Sequence, residues 1–341
     1  MTEVKKRLTD NLVSDEEGFR MSTPLVIAKY KAERLKSKTM ADLGAGIGVQ
    51  VLNFALVSER VIAVENDVNR LEYLRRNAQA IGVTNIETIY GNVLNEDIIE
   101  RVREVETIHS DPSRKRANER WSFQDLSPNP LDVIKSYDCD RLSFDLPAFF
   151  PEEQIPEGWE IEYISLSGEL KRIGAYIGGV KRFGKSAIAL PSEERVVENQ
   201  DTDRVTGQAE KPLTWIYDLD GSLYYSNLIP EFLSRFSGLR LLHEDRQKTL
   251  VTSDKFLESA FLTKSYSVID SVRNINDVRG RLDRLNAGKV ILRYSMDPSK
   301  YYDERRNLER GLYGNETIYV FKFADTFYLA DRVEKGEVQD K

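Results

Sequence analysis

Apolar residues between positions 20 and 112 alternate between two periods. Leu25, Ala28, Ala32 and Leu35 recur at helical spacing, with Thr23 as N-cap and Pro24 at the first helical position. Thr39–Leu43 is a short apolar run that predicts a buried strand, residues 49–57 a helix, and residues 61–65 a second strand ending in an acid. Val68–Ile81 repeats at Leu71, Leu74, Ala78 and Ile81, and Gly82 stops it. Ile86–Tyr90 reads as a third strand, Glu96–Val102 as a short helix and Thr107–Ser110 as a fourth strand. Four β–α alternations predict a parallel, doubly wound α/β sheet.

The pattern loosens after Asp111. Residues 113–124 read as a basic, polar loop, 125–137 as a helix, 141–146 as a fifth strand and 159–167 as a sixth. Segments 173–177 and 186–190 are expected to pair as a hairpin around the intervening glycines. Residues 192–211 lack an apolar period and read as a linker, and 212–264 as a bridge of uncertain type. Strand, helix, strand, helix and a final hairpin follow at 265–271, 276–285, 290–295, 300–310 and 317–331, a smaller α+β (βαβαββ) module. The expected division is a domain over 1–195 with an N-terminal helical arm, a bridging segment over 196–261 and the module over 262–334.

Composition narrows the classes. No apolar run approaches the roughly 20 residues of a membrane span. The polar, mixed-charge N-terminus is no secretory signal, and one cysteine, Cys139, fits a reducing cytoplasm, the expected location. One Cys and two His make a zinc site built from those ligands very unlikely. The net charge is −7, with the acidic excess before Glu160, yet basic clusters stand at Arg114-Lys115-Arg116, at Lys171-Arg172 with Lys181-Arg182 and Lys185, and from Arg273 to Arg293. Taken alone, each such cluster is more often a solvated face than a binding site.

The chemistry gathers where strands end. Asp42-Leu43-Gly44-Ala45-Gly46-Ile47-Gly48 follows the first strand and Glu65 closes the second. Glycines let backbone approach a ligand, and a carboxylate at the second strand end accepts from ribose hydroxyls. The spacing is Gly-x-Gly-x-Gly, without the wider turn that seats a pyrophosphate. Asp42 before the turn would repel a pyrophosphate and attract an ammonium, such as the amino-acid end of S-adenosylmethionine. Asn92 at the third strand end offers a bond to an adenine edge, and Asp111-Pro112 ends the fourth.

These ordered motifs resemble those of the class I S-adenosylmethionine-dependent methyltransferases, over about residues 20 to 190. The resemblance implies a Rossmann-like seven-stranded sheet with a reversed last strand. Thr23-Pro24, Asp111-Pro112-Ser113-Arg114-Lys115-Arg116 and Gly168-Glu169-Leu170-Lys171 are similar to the methyltransferases that carry a C-terminal THUMP-like domain, which the final module matches in length and position. The Thr-Pro entry and glycine unit also resemble the RNA-cap trimethylguanosine synthases. The resemblance implies RNA (tRNA or rRNA) as substrate, held in part by Arg114, Lys115, Arg116 and the C-terminal domain. It places Thr23, Asp42, Gly44, Ala45, Gly46, Glu65, Asn66, Asn92 and Asp111 around the cofactor, and Asp111, Pro112 and Arg114 at the acceptor.

Enzymes that methylate exocyclic amines of bases show Asp/Asn/Ser-Pro-Pro-aromatic after the fourth strand. Here Asp111 and Pro112 match, but Ser113 and Arg114 replace the second proline and the aromatic. Trp121, Phe123, Phe149 and Phe150 are the rings that stand to replace it. Carbon-5 uracil methylation needs a cysteine nucleophile, and the turn at 163–167 has none; Cys139 reads as a packing residue. A methyltransferase of protein or small molecules, or a non-catalytic binding module on this scaffold, stays open at this point, as do the RNA, base, target atom and oligomeric state.

Overall fold

The computed structural model describes residues 12–114, 121–199, 207–245 and 248–334. It divides into two compact units, one formed by residues up to 166 with 170–193, the other by 167–169 with residues from 194 onward.

The first unit opens with α1 (Glu16–Met21), capped by Asp15, whose carboxylate accepts from Gly18 N at 2.7 Å. Residues 1–11 of the expected arm lie outside the described residues. Next come α2 (Leu25–Leu35), β1 (Thr39–Leu43), α3 (Val49–Ala55), β2 (Arg60–Glu65), α4 (Val68–Ile81), β3 (Ile86–Tyr90), α5 (Glu96–Val102) and β4 (Thr107–Ser110). The apolar stripes behave as their spacing requires: Ala28, Ala32 and Leu35 of α2 and Leu71, Leu74 and Ile81 of α4 are all buried. The cap of α2 differs from expectation. Pro24 occupies the N-cap position without a side-chain bond, and the Thr23 hydroxyl is drawn instead to Asp111.

A small ribbon follows, β5 (Ser113–Arg114) paired antiparallel with β6 (Leu126–Ser127), so the expected loop at 113–124 is in part strand. Helix α6 (Pro130–Ser136) begins five residues later than the apolar pattern predicts. Prolines at 128 and 130 bar an earlier start, and the Asn129 side chain caps Leu131 N at 3.0 Å. The unit ends with β7 (Arg141–Pro147), β8 (Glu160–Leu166), β9 (Glu169–Gly178) and β10 (Lys185–Leu190).

The strands of this unit lie in the order β10-β8-β9-β7-β4-β1-β2-β3. Strands β7, β4, β1, β2 and β3 run parallel, and β9 runs against β7. The reversed strand is therefore β9, inserted between β7 and β8. The predicted hairpin of 173–177 with 186–190 does not form, because β10 pairs parallel with β8. With β10 the described residues of this unit contribute eight strands, one more than the seven expected. Asp42 faces His109 across β1 and β4, His109 faces Ser143, and Ser143 faces Tyr176, so a buried polar row crosses four strands.

The second unit holds β11 (Glu194–Val197), β12 (Trp215–Leu219), α7 (Gly221–Tyr225), α8 (Ile229–Leu233), β13 (Arg240–Glu244), β14 (Thr249–Ser253), β15 (Leu262–Val272), α9 (Ile275–Arg284), β16 (Ala287–Leu292), α10 (Pro298–Glu309), β17 (Glu316–Phe323) and β18 (Thr326–Val333). Seven of these strands, β12 to β18, form one sheet in the order β13-β14-β12-β15-β18-β17-β16. The βαβαββ pattern read from 262 onward forms four of its seven strands. The segment read as a bridge supplies β12, β13 and β14, and part of the expected linker forms β11. A core of Val278, Leu282, Val290, Leu308, Val320 and Leu329 joins α9 and α10 to the sheet. Among the described residues no helix is long and apolar enough to cross a membrane.

Gly48 stands at φ 93, and a Cβ there would meet Leu74 Cγ at 2.7 Å. Gly48→Ala should cost about 1–3 kcal/mol, from left-handed strain plus the clash. Gly280→Ala, in the interior of α9 with nothing within 4 Å, should gain up to about 1 kcal/mol. Urea unfolding of the two variants checks both signs.

Candidate active site

The carboxyl ends of β1 to β4 open onto one cavity of about 550 Å³. Every residue assigned to the cofactor from sequence lies on its wall: Thr23, Asp42, Gly44, Ala45, Gly46, Glu65, Asn66, Asn92 and Asp111. Pro112 and Arg114 are on the same wall, while Lys115 and Arg116 lie outside the described residues.

The glycine turn is held by its own backbone. Gly44, Gly46 and Gly48 have φ of 95, 54 and 93, a path open to glycine and strained for other residues. Gly44 N and Ala45 N both donate to Val64 O, at 2.9 and 3.0 Å, which ties the turn to β2. Glu65 has a task that sequence did not suggest. It accepts from Gly46 N at 2.6 Å, Asn66 N at 2.9 Å and Asp67 N at 3.0 Å, and so clasps the turn. A carboxylate has about four acceptor positions, so one is left for a ligand hydroxyl. Asn92 is exposed, and its side-chain oxygen accepts from Leu94 N at 3.0 Å, shaping the local turn.

Asp42 is 2% exposed, and its Oδ1 has no hydrogen-bond partner among the described residues. Burial pushes its pKa well above the ordinary carboxylate value, and the charges of Asp111, Asp145 and Glu65 add to that against Lys31. An ionised carboxylate without a partner in such a place favours a cationic guest.

Asp111 is the end of a chain of charges. Its Oδ2 accepts from Arg172 Nη1 at 2.9 Å and from the Thr23 hydroxyl at 3.3 Å. The same Arg172 nitrogen donates to Asp145 Oδ2 at 2.5 Å, and Asp145 Oδ1 lies 2.6 Å from Lys31 Nζ. Burial alone would raise the Asp145 pKa, but Lys31 and Arg172 outweigh it and hold the carboxyl below its usual range. At Asp111 burial wins and the pKa is raised, with Arg172 opposing. Lys31 also donates to Ser143 Oγ at 3.3 Å and Tyr176 OH at 3.2 Å. Beside it Arg34 pairs with Glu160 at 2.5 Å and stacks on Tyr176 at 3.8 Å. Glu162 accepts from Tyr30 at 2.7 Å and from Tyr176 at 2.6 Å.

Lys31 and Asp145 escaped the reading of the sequence, and Arg172, read there as part of a basic cluster on a solvated face, is instead largely buried between Asp111 and Asp145. The signal was present: Lys31 sits on the apolar stripe of α2, and Asp145 interrupts the apolar run of β7 between Phe144 and Leu146. A cation and an anion both placed on buried faces are expected to be partners.

The proposed stacking rings are not on the wall. Phe123 and Phe150 are buried against each other, centroids 4.9 Å apart, with Trp159 at 5.9 Å from Phe123. Phe149 is 53% exposed. Trp121 lies under the Arg114 guanidinium, 5.3 Å from its ring centre. Cys139 is half-buried and donates weakly to Glu106 O and Arg141 O, and burial pushes its thiol up, which fits packing.

A family model for RNA cap guanine-N2 methyltransferases matches residues 37–134, from β1 into α6. In Mycobacterium tuberculosis, an uncharacterised S-adenosylmethionine-dependent methyltransferase, found in two strains, is 22% identical over 294 residues. The match spans 83% of this chain and 78% of that protein. The crystal structure of a candidate methyltransferase from Porphyromonas gingivalis superposes with a TM-score of 0.74. Its identity is 17%, over 94% of this chain and 83% of that one. The fold is a methyltransferase-like α/β fold. The reversed β9 and the strand-end cavity agree with it.

His109 gives the site a measurable pH signature. It is fully buried, edge-on to Phe54 at 5.4 Å, and burial lowers its pKa from 6.5 to about 3. Between those values the unfolded chain binds the proton and the folded chain does not, so stability falls as pH falls below 6.5. Urea unfolding at pH 5.5 should show about 1.4 kcal/mol less stability from this residue than at high pH. His109→Gln should remove that part of the pH dependence.

Proposed function

We propose that the protein methylates a base in RNA, a tRNA or rRNA, in the cytoplasm. It is an enzyme, an S-adenosylmethionine-dependent methyltransferase, and its cofactor is S-adenosylmethionine. The observation that carries the reading is the meeting, in one cavity, of the unpartnered Asp42 oxygen, the left-handed glycine turn and Asp111-Pro112. The residues fit the cofactor: Asp42 for the ammonium, Gly44 to Gly46 for close backbone approach, and the remaining acceptor position of Glu65 for a ribose hydroxyl. Asn66 and Asn92 border the same space, and Thr23 shares its hydroxyl with Asp111.

When bound, the cofactor supplies a methyl group on a sulfonium, open to attack by a lone pair. Asp111 would hold an exocyclic amine of the base, with Pro112 shaping the turn, and accept the proton that the amine loses. Arg172 and Thr23 fix that carboxylate in place, so the acceptor lone pair meets a prearranged partner. RNA is supported by the family-model match, which spans the cofactor turn and Asp111, and by Arg20, Arg114 and Lys171 around the cavity. The second unit is the THUMP-like part of the reading. Its helices α9 and α10 carry Arg279, Arg284, Arg305 and Arg306, suited to phosphates.

Calorimetry with S-adenosylhomocysteine, which bears the same ammonium, should show binding. Asp42→Ala and Glu65→Ala should each weaken it about 10-fold or more, as loss of a charge-assisted hydrogen bond implies. Because the Asp42 pKa is raised and only its ionised form attracts the ammonium, wild-type affinity should fall as pH is lowered through that pKa. Asp42→Asn should flatten the dependence. No binding, or binding indifferent to these variants, would contradict the cofactor site.

Asp111→Ala should lower methyl transfer by about 10²–10⁴-fold. The substrate is read from RNA mass spectrometry of a deletion strain, where one methylated nucleoside should vanish. Intact RNA with a lost protein or metabolite mark would move the substrate to that class, and no lost mark would leave a binding module.

A further inference from the structure

A base taken into this cavity needs a flat surface, yet among the described residues no aromatic side chain lies on the wall. Four arginines, Arg20, Arg70, Arg114 and Arg172, bring planar guanidinium groups to it, and Arg114 is the one that stands two residues beyond Pro112. We propose that Arg114, backed by Trp121, is the platform on which the acceptor base stacks, a proposal that rests on the RNA-base reading above.

The backing is built in layers. Ser113 and Arg114 pair with Ser127 and Leu126, and the Ser113 hydroxyl donates to Ser127 O at 3.1 Å, which fixes the strand that carries Arg114. The guanidinium lies 5.3 Å from the indole centre of Trp121. Gln154 Nε2 donates to Trp121 O at 2.9 Å, and Ser122 and Asp125 cap each other just after it. Phe123 then anchors the segment in the aromatic core with Phe150 and Trp159.

A guanidinium has two faces. Arg114 Cζ lies over the indole ring and Arg114 is exposed on the cavity wall, so a guanidinium laid on the indole keeps its other face for a base. Guanidinium planes stack on unstacked bases much as aromatic rings do, and Arg is weakly enough hydrated for the role. Trp121 is absent from the wall, so it acts through Arg114 as a positioning residue. An acidic chain with an Arg-Trp pair at the acceptor would thus do the work of the missing Pro-aromatic pair.

A phosphate clamp is the competing role for Arg114, and lysine separates the two, since it keeps the charge and loses the plane. The experiment measures transfer of labelled methyl from S-adenosylmethionine onto total RNA from a strain lacking the protein. Arg114→Lys, Arg114→Ala, Trp121→Phe and Trp121→Ala are compared with wild type. S-adenosylhomocysteine affinity is measured on each variant to show that the cofactor cavity is intact.

Arg114→Ala should lower kcat/KM about 10-fold or more, and Arg114→Lys should recover little of it. Trp121→Ala should lose several-fold, Trp121→Phe less, and the salt dependence of RNA binding should be kept in Arg114→Lys. Recovery of wild-type kcat/KM by Arg114→Lys overturns stacking in favour of a phosphate contact. Indifference to Trp121→Ala overturns the layered platform. Absence of wild-type transfer to any RNA, with S-adenosylhomocysteine still bound, overturns the RNA reading, and the base platform with it.

Discussion

Asp145 has one oxygen 2.6 Å from Lys31 and the other 2.5 Å from Arg172, with almost no exposure to solvent. Burying three charges in a row costs several kcal/mol per ion, and only their close mutual pairing offsets it. The arrangement therefore has little freedom. Lys31 ties α2 to the sheet, Arg172 ties the start of β9 to β7, and Arg172 in turn holds Asp111. Since α2 begins beside Thr23, whose hydroxyl also reaches Asp111, both side chains that hold the Asp111 carboxylate depend on one buried acid.

The same row sets the polarity of the cavity. Asp42, Glu65, Asp111 and Asp145 stand against Lys31 and Arg172, and burial keeps His109 neutral. The deep end is short of positive charge, and Asp42 has an oxygen without a partner among the described residues. The rim is different, with Arg20, Arg114 and Lys171 on the wall. A cationic guest in the depth and a polyanion at the mouth satisfy both ends. An overall charge of −7 is thus no obstacle to a nucleic-acid substrate, because the acids that contribute locally face inward.

Glu65 shows how one side chain serves fold and site together. Three backbone amides share its carboxylate, so the glycine turn is shaped before any ligand arrives. Preorganisation of this kind keeps the cost of ordering the loop out of the binding step.

How much of this was legible in the sequence differs by residue. Strands β1 to β4, helices α2 to α5 and the strand-end residues Asp42, Glu65, Asn92 and Asp111 follow from local period and from glycine and proline at element ends. Each of these is decided by neighbours a few residues away. The C-terminal hairpin and its flanking helices were legible for the same reason. The partner of Thr23, the late start of α6, the parallel pairing of β10 and the absorption of 212–264 into a sheet were not. They depend on which distant segment lies alongside, and periodicity carries no such information. The sequence alone determined that a glycine turn and four strand ends would open onto one cavity, because parallel βα units place strand ends together. Only the tertiary structure decided that Lys31, Asp145 and Arg172 would meet beneath it, since their pairing spans 27 to 114 residues of chain and exists only when α2, β7 and β9 pack together.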